Sequence, residues 1–310
     1  MNEKIRICAV HPQSGKIFDY VELVIGEIAI KERFEAVKGG GQVIFFTREI
    51  IKKPSFVDYL RSGYNISFTA AIDFTGSNGH PSSPSSLHYI GSQMNEYQQS
   101  LLNVGSVIEP YDSDMMFPVY GFGGVPNHMG LRSTSHCFPL TGNPSQDAVY
   151  GAQGIAALYK QMLPQIGLSG PTNFGPLLEQ FRLNCEAQAR AGLKQYNVLL
   201  ILTDGAICDM NDTLKKVVDL SYLPCSIIII GVGGADFSLM EQLDGDDGVL
   251  TDSRGRAAVR DIVQFVEFRK CTQNGDLAEQ VLKEVPNQLC KAMEFMGYQP
   301  VAVQQVVQFE

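Results

Sequence analysis

The most regular feature of the chain is a series of short apolar runs that each end in polar residues or glycines. Three such runs are Ile66–Gly79, Asn197–Gly205 and Cys225–Gly234. The apolar part of each run is shorter than the ten residues or more that a helix usually needs, and it closes with Gly or Asn, which predicts a strand. Since nearly every residue in these runs is apolar, both faces must be covered. This pattern indicates a parallel sheet with helices on each side.

Segments with apolar residues at helical spacing separate these strands. The predicted helices are Met94–Ile108, Gly154–Leu163, Leu177–Ala191, Asp212–Leu220 and a final helix over Leu277–Leu289. Two further strands are predicted over Met116–Gly123 and Asp261–Phe268. The alternation of strand and helix predicts an α/β fold built on a doubly wound, mostly parallel sheet.

The first part of the chain has a different texture. Its predicted strands are Ile5–Val10, Tyr20–Ile30 and Gln42–Ile50, with a glycine turn at Gly39–Gly41. The sequence Lys52-Lys53-Pro54 marks a boundary, so we predict a small β-rich segment at residues 1–52 and the α/β domain at residues 53–298. About 50 residues make a poor independent core. Residues 299–310 are predicted to be a flexible tail.

Composition narrows the classes of function. The chain has 310 residues, of which 45% are hydrophobic and 18% charged, and its net charge of −9 argues against a nucleic-acid partner. Its seven cysteines contain no Cys-x-x-Cys pair, which indicates free thiols in a reducing compartment. The longest apolar runs have strand length and no signal peptide is recognised. We therefore expect a cytoplasmic protein.

Candidate chemistry lies where the predicted strands end. Asp73, Thr75 and Ser77 alternate at the end of the first run, Asp204 follows the second, and Thr172 lies in the loop Ser169–Pro176. Ligands of open α/β sheets bind beyond the carboxyl ends of the strands, so these side chains should meet at one edge. Carboxylate and hydroxyl oxygens suit Mg²⁺ or Mn²⁺. The competing interpretation is that they cap helices and hold loops without a metal.

Other motifs are weaker. The turn Gly231–Gly234 resembles a dinucleotide-binding turn, but Asp236 occupies the position of its third glycine. An EF-hand beginning at Asp244 would need Glu at its twelfth position, where Gly255 stands. No Gly-x-Ser-x-Gly elbow and no His-x-x-x-His pair occur, so we do not expect an enzyme. The proximity of His128, His136 and Cys137 in one loop is better explained by chance than by zinc.

The five oxygen-bearing residues resemble the metal-ion-dependent adhesion site of von Willebrand factor A domains, with Thr75 in place of the first serine. Longer motifs are similar to those of copines over nearly all of residues 54–298. They are AIDFTGSNG, SLHYI, YDSDMMFPVYGFGG, SGPTNFGP, LLILTDG, IIIIGVGGADF, LDGDD and RDIVQFVEFR. The resemblance implies direct coordination by Thr75, Ser77 or Thr172, with Asp73 and Asp204 acting largely through water.

The copine resemblance also implies a function. It indicates a non-enzymatic adaptor that binds acidic segments of partner proteins through the metal, at or near the plasma membrane. Copines typically carry two C2 domains that bind phospholipid with Ca²⁺, and residues 1–52 resemble only the later strands of the second. In its last calcium loop two aspartates are expected, but this chain has His11, Pro12 and Gln13, with Asp19 as the only nearby carboxylate.

Two alternatives follow from the same resemblance. The first is a Ca²⁺-dependent phospholipid-binding protein that acts through the C2-like segment at a membrane surface. It would require calcium ligands that this chain lacks or carries in degenerate form. The second is the ubiquitin-linked activity of related proteins that contain a RING finger. The paired cysteines of a RING are absent from the sequence.

Overall fold

The computed structural model describes residues 4–24, 33–35, 42–44, 53–245, 248–274 and 277–300. The chain divides into two compact units, Met1–Lys53 and Pro54–Glu310. The predicted turn at Gly39–Gly41 lies outside the described residues, as do most of the predicted strand over Gln42–Ile50 and most of the tail at 299–310.

The first unit contains two antiparallel pairs of strands. They are β1 (Lys4–Val10) with β2 (Ile17–Val24), and β3 (Arg33–Glu35) with β4 (Gln42–Ile44). In β2 the side chains of Val21 and Leu23 are buried while that of Glu22 is exposed, as the two-residue period of a strand requires. The strand begins at Ile17, three residues before the predicted start.

The second unit is built on a mostly parallel sheet. The strands of this unit are β5 (Asn65–Asp73), β6 (Met116–Phe122), β7 (Gly124–Pro126), β8 (Phe138–Pro139), β9 (Ala148–Tyr150), β10 (Ile166–Leu168), β11 (Gln195–Thr203), β12 (Cys225–Gly231) and β13 (Val263–Glu267). Strands β7 and β10 form a separate antiparallel pair, and the others form the main sheet. The order is β13-β12-β11-β5-β6-β8, and β9 also pairs with β6. The first five strands of this order run parallel, and β8 and β9 are antiparallel to β6.

Helices cover both faces of this sheet. They are α1 (Phe56–Arg61), α2 (Glu96–Ile108), α3 (Gly151–Met162), α4 (Gly175–Arg190), α5 (Met210–Leu220), α6 (Ser238–Leu243), α7 (Phe268–Asn274), α8 (Leu277–Leu282) and α9 (Val285–Phe295). Neighbouring strand residues enter separate cores. Ile72 and Leu200 pack with α2, α3 and α9, whereas Ala71 and Leu199 pack with α4 and α5. The predicted doubly wound α/β fold is confirmed.

One predicted helix is wrong as a single element. The apolar pattern from Leu277 to Leu289 is divided between α8 and α9, which are separated at Lys283 and Glu284. Pro286 stands in the first turn of α9, where a missing N–H costs no helical hydrogen bond. In the middle of a longer helix the same ring would clash with the preceding turn. The apolar pattern therefore predicted correctly which residues are buried, but it did not predict the break between the two helices.

The remaining predicted elements differ only at their ends. The predicted helix over Gly154–Leu163 begins at Gly151, and the predicted strand over Asp261–Phe268 is shortened to Val263–Glu267. Among the described residues, no helix combines the length and apolar character needed to cross a lipid bilayer. The seven cysteines are free thiols.

Candidate metal centre

Two adjacent parallel strands bring the predicted acidic residues together. Asp73 is the last residue of β5, and Asp204 directly follows Thr203, the last residue of β11. The two strands are paired up to Ile72 and Leu202, so their carboxyl ends lie side by side. The Thr203 hydroxyl donates to Asp73 Oδ2 at 2.5 Å, which joins the two strand ends through side chains.

The loop after β5 turns its hydroxyls toward Asp204. The backbone N–H of Thr75 donates to Asp73 Oδ1 at 2.8 Å, which closes the loop onto the strand end. The Thr75 and Ser77 hydroxyl oxygens are 3.0 Å apart. The Ser77 hydroxyl donates to Asp204 Oδ1 at 2.9 Å, and the Thr75 hydroxyl lies 3.4 Å from the same oxygen. Four of the five predicted residues therefore form one hydrogen-bonded cluster.

Thr172, the fifth predicted residue, lies in the loop before α4 and is not part of this hydrogen-bonded cluster. This loop is held at one end by the Gly76 N–H, which donates to the Ser169 carbonyl at 2.6 Å. The Cys208 N–H donates to the carbonyl of Thr172 itself at 2.8 Å. Asp209 accepts hydrogen bonds from the N–H groups of residues 174 and 175 at 2.9 and 2.8 Å, which anchors the loop to the segment after Asp204.

Gly205 shows how closely the two loops approach. A Cβ atom placed on this glycine would lie 3.4 Å from Thr172 Oγ1 and 3.6 Å from Ser77 Oγ. The hydroxyls of two distant loops therefore border the same small space beside Asp204. Thr172 is buried, whereas Ser77 is exposed, so the space is open to solvent on the Ser77 side.

The two carboxyl groups are in an unfavourable environment for negative charge. Burial, together with the neighbouring Asp204, raises the pKa of Asp73 to about 7, although hydrogen bonds from Thr203 and Thr75 oppose the shift. Burial also raises the pKa of Asp204, although hydrogen bonds from Ser77, Thr75 and Asn78 oppose the shift. Within the described residues neither carboxylate forms an ion pair with a cationic side chain. A divalent cation beside them would stabilise both charged forms.

The donor set fits a hard cation and excludes a soft one. Two carboxylates and three hydroxyls are oxygen ligands of the kind that Mg²⁺ and Mn²⁺ accept. The described residues contain no group of three or more His, Cys, Asp or Glu side chains that could hold a metal. A metal at this centre would therefore depend on the hydroxyls of Thr75, Ser77 and Thr172, and it would keep positions for water or a partner's oxygen.

Several residues that position the site carry no metal-ligand signal in the sequence. The Asn78 side chain donates to Asp204 Oδ1 at 3.0 Å and accepts from the Tyr97 hydroxyl at 2.6 Å. His88 is fully buried, and its ring stacks on Phe74 and Tyr97 with centroid distances of 5.4 and 4.5 Å. Asn78 could have been inferred from its place in the same loop. His88 and Tyr97 could not, because only tertiary packing brings His88 next to Asp73 and Tyr97 next to Asn78.

The weaker sequence motifs have structural partners. The N–H of Gly233, in the glycine turn after β12, donates to a carboxylate oxygen of Glu96 at 2.7 Å. The Glu96 carboxylate therefore already accepts from a backbone N–H that a bound phosphate would need. Asp244 accepts from the N–H of Phe265 at 2.6 Å. Both observations agree with structural roles for these two segments.

Comparison with known proteins identifies the family. The copine family model matches residues 86–301. The chain belongs to the copine family. It is 44% identical over 252 residues to Protein BONZAI 1 of Arabidopsis thaliana, covering 80% of this chain and 43% of the relative. It is 43% identical over 269 residues to Copine-B of Dictyostelium discoideum, covering 86% and 49%. The predicted family is confirmed, and the chain spans about half the length of these curated relatives.

Two solved structures match the chain with TM-scores below 0.5. A von Willebrand factor type A protein from Catenulispora acidiphila is 15% identical with a TM-score of 0.39, covering 73% of this chain and 43% of that one. The manganese-loaded Plasmodium vivax TRAP protein is 12% identical with a TM-score of 0.41, covering 68% of this chain and 71% of that one.

The copine family model covers two of the five predicted metal ligands, Thr172 and Asp204. The other three, Asp73, Thr75 and Ser77, precede the matched residues.

Proposed function

We propose that this copine is a non-enzymatic adaptor that binds acidic segments of partner proteins through Mg²⁺ or Mn²⁺. The ion would be held by Asp73, Thr75, Ser77, Thr172 and Asp204. The observation that supports this most directly is the Thr75–Ser77–Asp204 cluster, because it joins two loops that are 127 residues apart in the chain at one oxygen atom. No nucleophile or base is needed for such a site to work.

The open side of the centre suggests how a partner would be recognised. Ser77 is exposed, and the space beside Gly205 is bordered by hydroxyl oxygens. A divalent ion held mostly by neutral oxygens keeps much of its charge. It would therefore attract a carboxylate, and it would accept an Asp or Glu side chain into a vacant position. A neutral amide of the same shape would be a much weaker ligand.

Isothermal titration of Mn²⁺ and of Mg²⁺ into the full chain tests whether the site binds a divalent ion. We expect saturable binding that is lost in Asp204→Ala, while Asp236→Ala, an exposed aspartate elsewhere in the domain, leaves it unchanged. A labelled glycine-rich peptide with one central Asp, and its Asn counterpart, tests the partner chemistry. Binding of the Asp peptide that needs Mn²⁺ and is abolished by EDTA would support the proposal. Metal heats that are equal in wild type and Asp204→Ala would contradict it.

Calcium-dependent phospholipid binding at the plasma membrane is the alternative function that family membership suggests. In the first unit Asp19 lies in β2, is 7% exposed and accepts from the N–H of Tyr20 at 2.8 Å. A single, mostly buried carboxylate is a poor Ca²⁺ ligand set. We therefore expect no calcium-dependent pelleting with vesicles of phosphatidylserine and phosphatidylcholine. Pelleting that requires Ca²⁺ would favour the lipid-binding function instead.

A further inference from the structure

A cavity of about 370 Å³ lies at the edge of the sheet opposite the candidate metal centre. It opens beside the amino-terminal ends of β5 and β11. The side chains that matter for its chemistry are Tyr64, Gln188, Lys194, Gln195, Asn197 and Tyr298. Its volume falls within the roughly 300–1,000 Å³ typical of small-molecule sites. All of these residues belong to the second unit, so the cavity does not depend on the first.

Three amide side chains of this cavity have atoms without hydrogen-bond partners. Gln188 Oε1, Gln195 Oε1 and Asn197 Nδ2 are buried and unpaired within the described part of the chain. Asn197 is only 5% exposed, so bulk water does not easily replace the missing partner. Buried polar atoms are nearly always paired, because desolvating them without a partner is costly. Small rotations about the broad terminal torsions would turn these amides to the cavity.

Aromatic rings form another part of the wall. The Tyr64 and Tyr298 ring centroids are 6.2 Å apart, with an angle of 55° between the rings. Tyr298 is 47% exposed, so its ring lies at the mouth of the cavity. Aromatic faces favour planar ligands, whose own rings can stack on them or meet them edge to face.

The cavity has little charge of its own. No Asp or Glu is among its described lining residues. Its one charged group, the Lys194 ammonium, donates to the Ser62 carbonyl at 3.2 Å and lies 5.9 Å from the Tyr64 ring centroid. Because Lys194 is exposed, water screens its charge, and the other described lining residues are uncharged. An uncharged ligand fits it better.

We propose that this cavity binds a neutral, planar, amino-substituted heterocycle of nucleobase size. The two unpaired oxygens accept hydrogen bonds and the unpaired Asn197 nitrogen donates one. A complementary ligand has two N–H donors next to an acceptor, as an exocyclic amino group beside a ring nitrogen provides. Glutamine and asparagine amides recognise adenine in this way in nucleic-acid complexes. The site is separate from the metal centre and does not require it.

Adenine and purine are the probes that test the proposal, because purine lacks only the exocyclic amino group. Saturation-transfer NMR and calorimetry with the full chain would measure their binding. We expect saturable adenine binding, and about tenfold weaker binding of purine from the loss of hydrogen bonds to the glutamines. Gln188→Leu should weaken adenine binding by a similar factor. Gln180→Leu is the matched control, because Gln180 lies on the same helix but bonds to Asn184 outside the cavity.

Three results would overturn the proposal. They are no saturable binding of adenine, equal binding of adenine and purine, and unchanged adenine affinity in Gln188→Leu. The first would show that the cavity holds only water. If circular dichroism shows that Gln188→Leu is unfolded, Gln195→Leu replaces it, and the adenine–purine comparison on the wild type needs no variant.

Discussion

The Nε2 atom of His88 lies 2.9 Å from the backbone carbonyl oxygen of Asp73, so a buried imidazole holds the strand end that carries the candidate metal centre. A carbonyl oxygen can only accept, so Nε2 carries the proton and Nδ1 accepts from the Tyr159 hydroxyl at 2.8 Å. The Tyr159 oxygen in turn accepts from the Asn95 side chain at 3.1 Å. Burial lowers the pKa of His88 to about 3, which agrees with a neutral ring.

His88→Phe should separate the hydrogen bonds of this histidine from its packing. Phenylalanine can still stack between Phe74 and Tyr97, but the Asp73 carbonyl loses the imidazole donor and the Tyr159 O–H loses its acceptor. We expect a loss of about 2–4 kcal/mol in the free energy of unfolding, because two buried hydrogen bonds are lost. We also expect weaker Mn²⁺ binding. Urea denaturation and calorimetry measure the two effects.

His80→Phe is the control for this variant. His80 is exposed and bonds locally to the Ser82 hydroxyl at 2.8 Å. Its replacement should change stability by no more than about 0.5 kcal/mol. Equal stability of His88→Phe and His80→Phe would show that the hydrogen bond between His88 and Asp73 does not contribute to stability.

Gly205→Ala should weaken metal binding more than it changes the stability of the fold. The added methyl group would lie 3.4 Å from Thr172 Oγ1 and 3.6 Å from Ser77 Oγ, which are ordinary contact distances, but it would occupy the space that their hydroxyls border. We expect a fall in Mn²⁺ affinity of about tenfold or more, since coordination geometry is specific. Stability should change by less than about 1 kcal/mol.

Gly154→Ala is the matched control. Gly154 lies inside α3, and its new Cβ would meet Val149 at 3.5 Å. Alanine is preferred to glycine in a helix by about 0.5–1 kcal/mol, so this variant should be slightly more stable and should bind Mn²⁺ normally. A Gly205→Ala protein with wild-type Mn²⁺ affinity would place the ion elsewhere.

Gly105→Ala should destabilise the domain although alanine favours helices. A Cβ on Gly105 of α2 would lie 2.6 Å from the Cβ of Ala152 in α3. The two helices must separate to admit it, and overpacking of this kind costs about 1–3 kcal/mol. The change in the urea midpoint measures the effect. A stability equal to that of Gly154→Ala would mean that the two helices do not meet at this point.

Glu179→Gln should reduce stability in a pH-dependent way. Arg182 and Lys216 lower the pKa of Glu179 to about 2, through a hydrogen bond at 2.7 Å within α4 from Arg182 and one at 2.5 Å from Lys216 that joins α5 to α4. A lowered pKa in the folded state stabilises the fold above the unfolded pKa of about 4.5. This contribution is lost as the pH falls from about 4.5 toward 2.

The side chain of Glu179 is 34% exposed, so we expect a difference of only about 1 kcal/mol between wild type and Glu179→Gln at pH 7. When urea denaturation is repeated at pH 7, 5 and 3, the difference should be nearly equal at pH 7 and 5 and should shrink at pH 3. Glu241→Gln, an exposed position outside this network, is the control. A difference that stays constant with pH would mean that Glu179 acts by packing and not by charge.

The sequence alone predicted the sheet because strands buried on both faces leave an unmistakable apolar run. The runs ending at Asp73 and Asp204 are β5 and β11, and the general rule for parallel sheets correctly placed their ends together. The same rule could not show that the Thr172 and Ser77 hydroxyls border one space beside Gly205. That arrangement depends on the Ser169 and Cys208 hydrogen bonds, which join loops far apart in the chain.

What the sequence determined by itself was therefore the periodicity of each element and the chemical types available at the strand ends. Tertiary structure alone decided that His88 is a neutral, buried support for Asp73, that Gly205 borders two hydroxyls, and that the last helical pattern breaks before Pro286. The physical reason is that periodicity is a local property of the chain. Burial, hydrogen-bond partners and pKa shifts depend on which distant segments pack together.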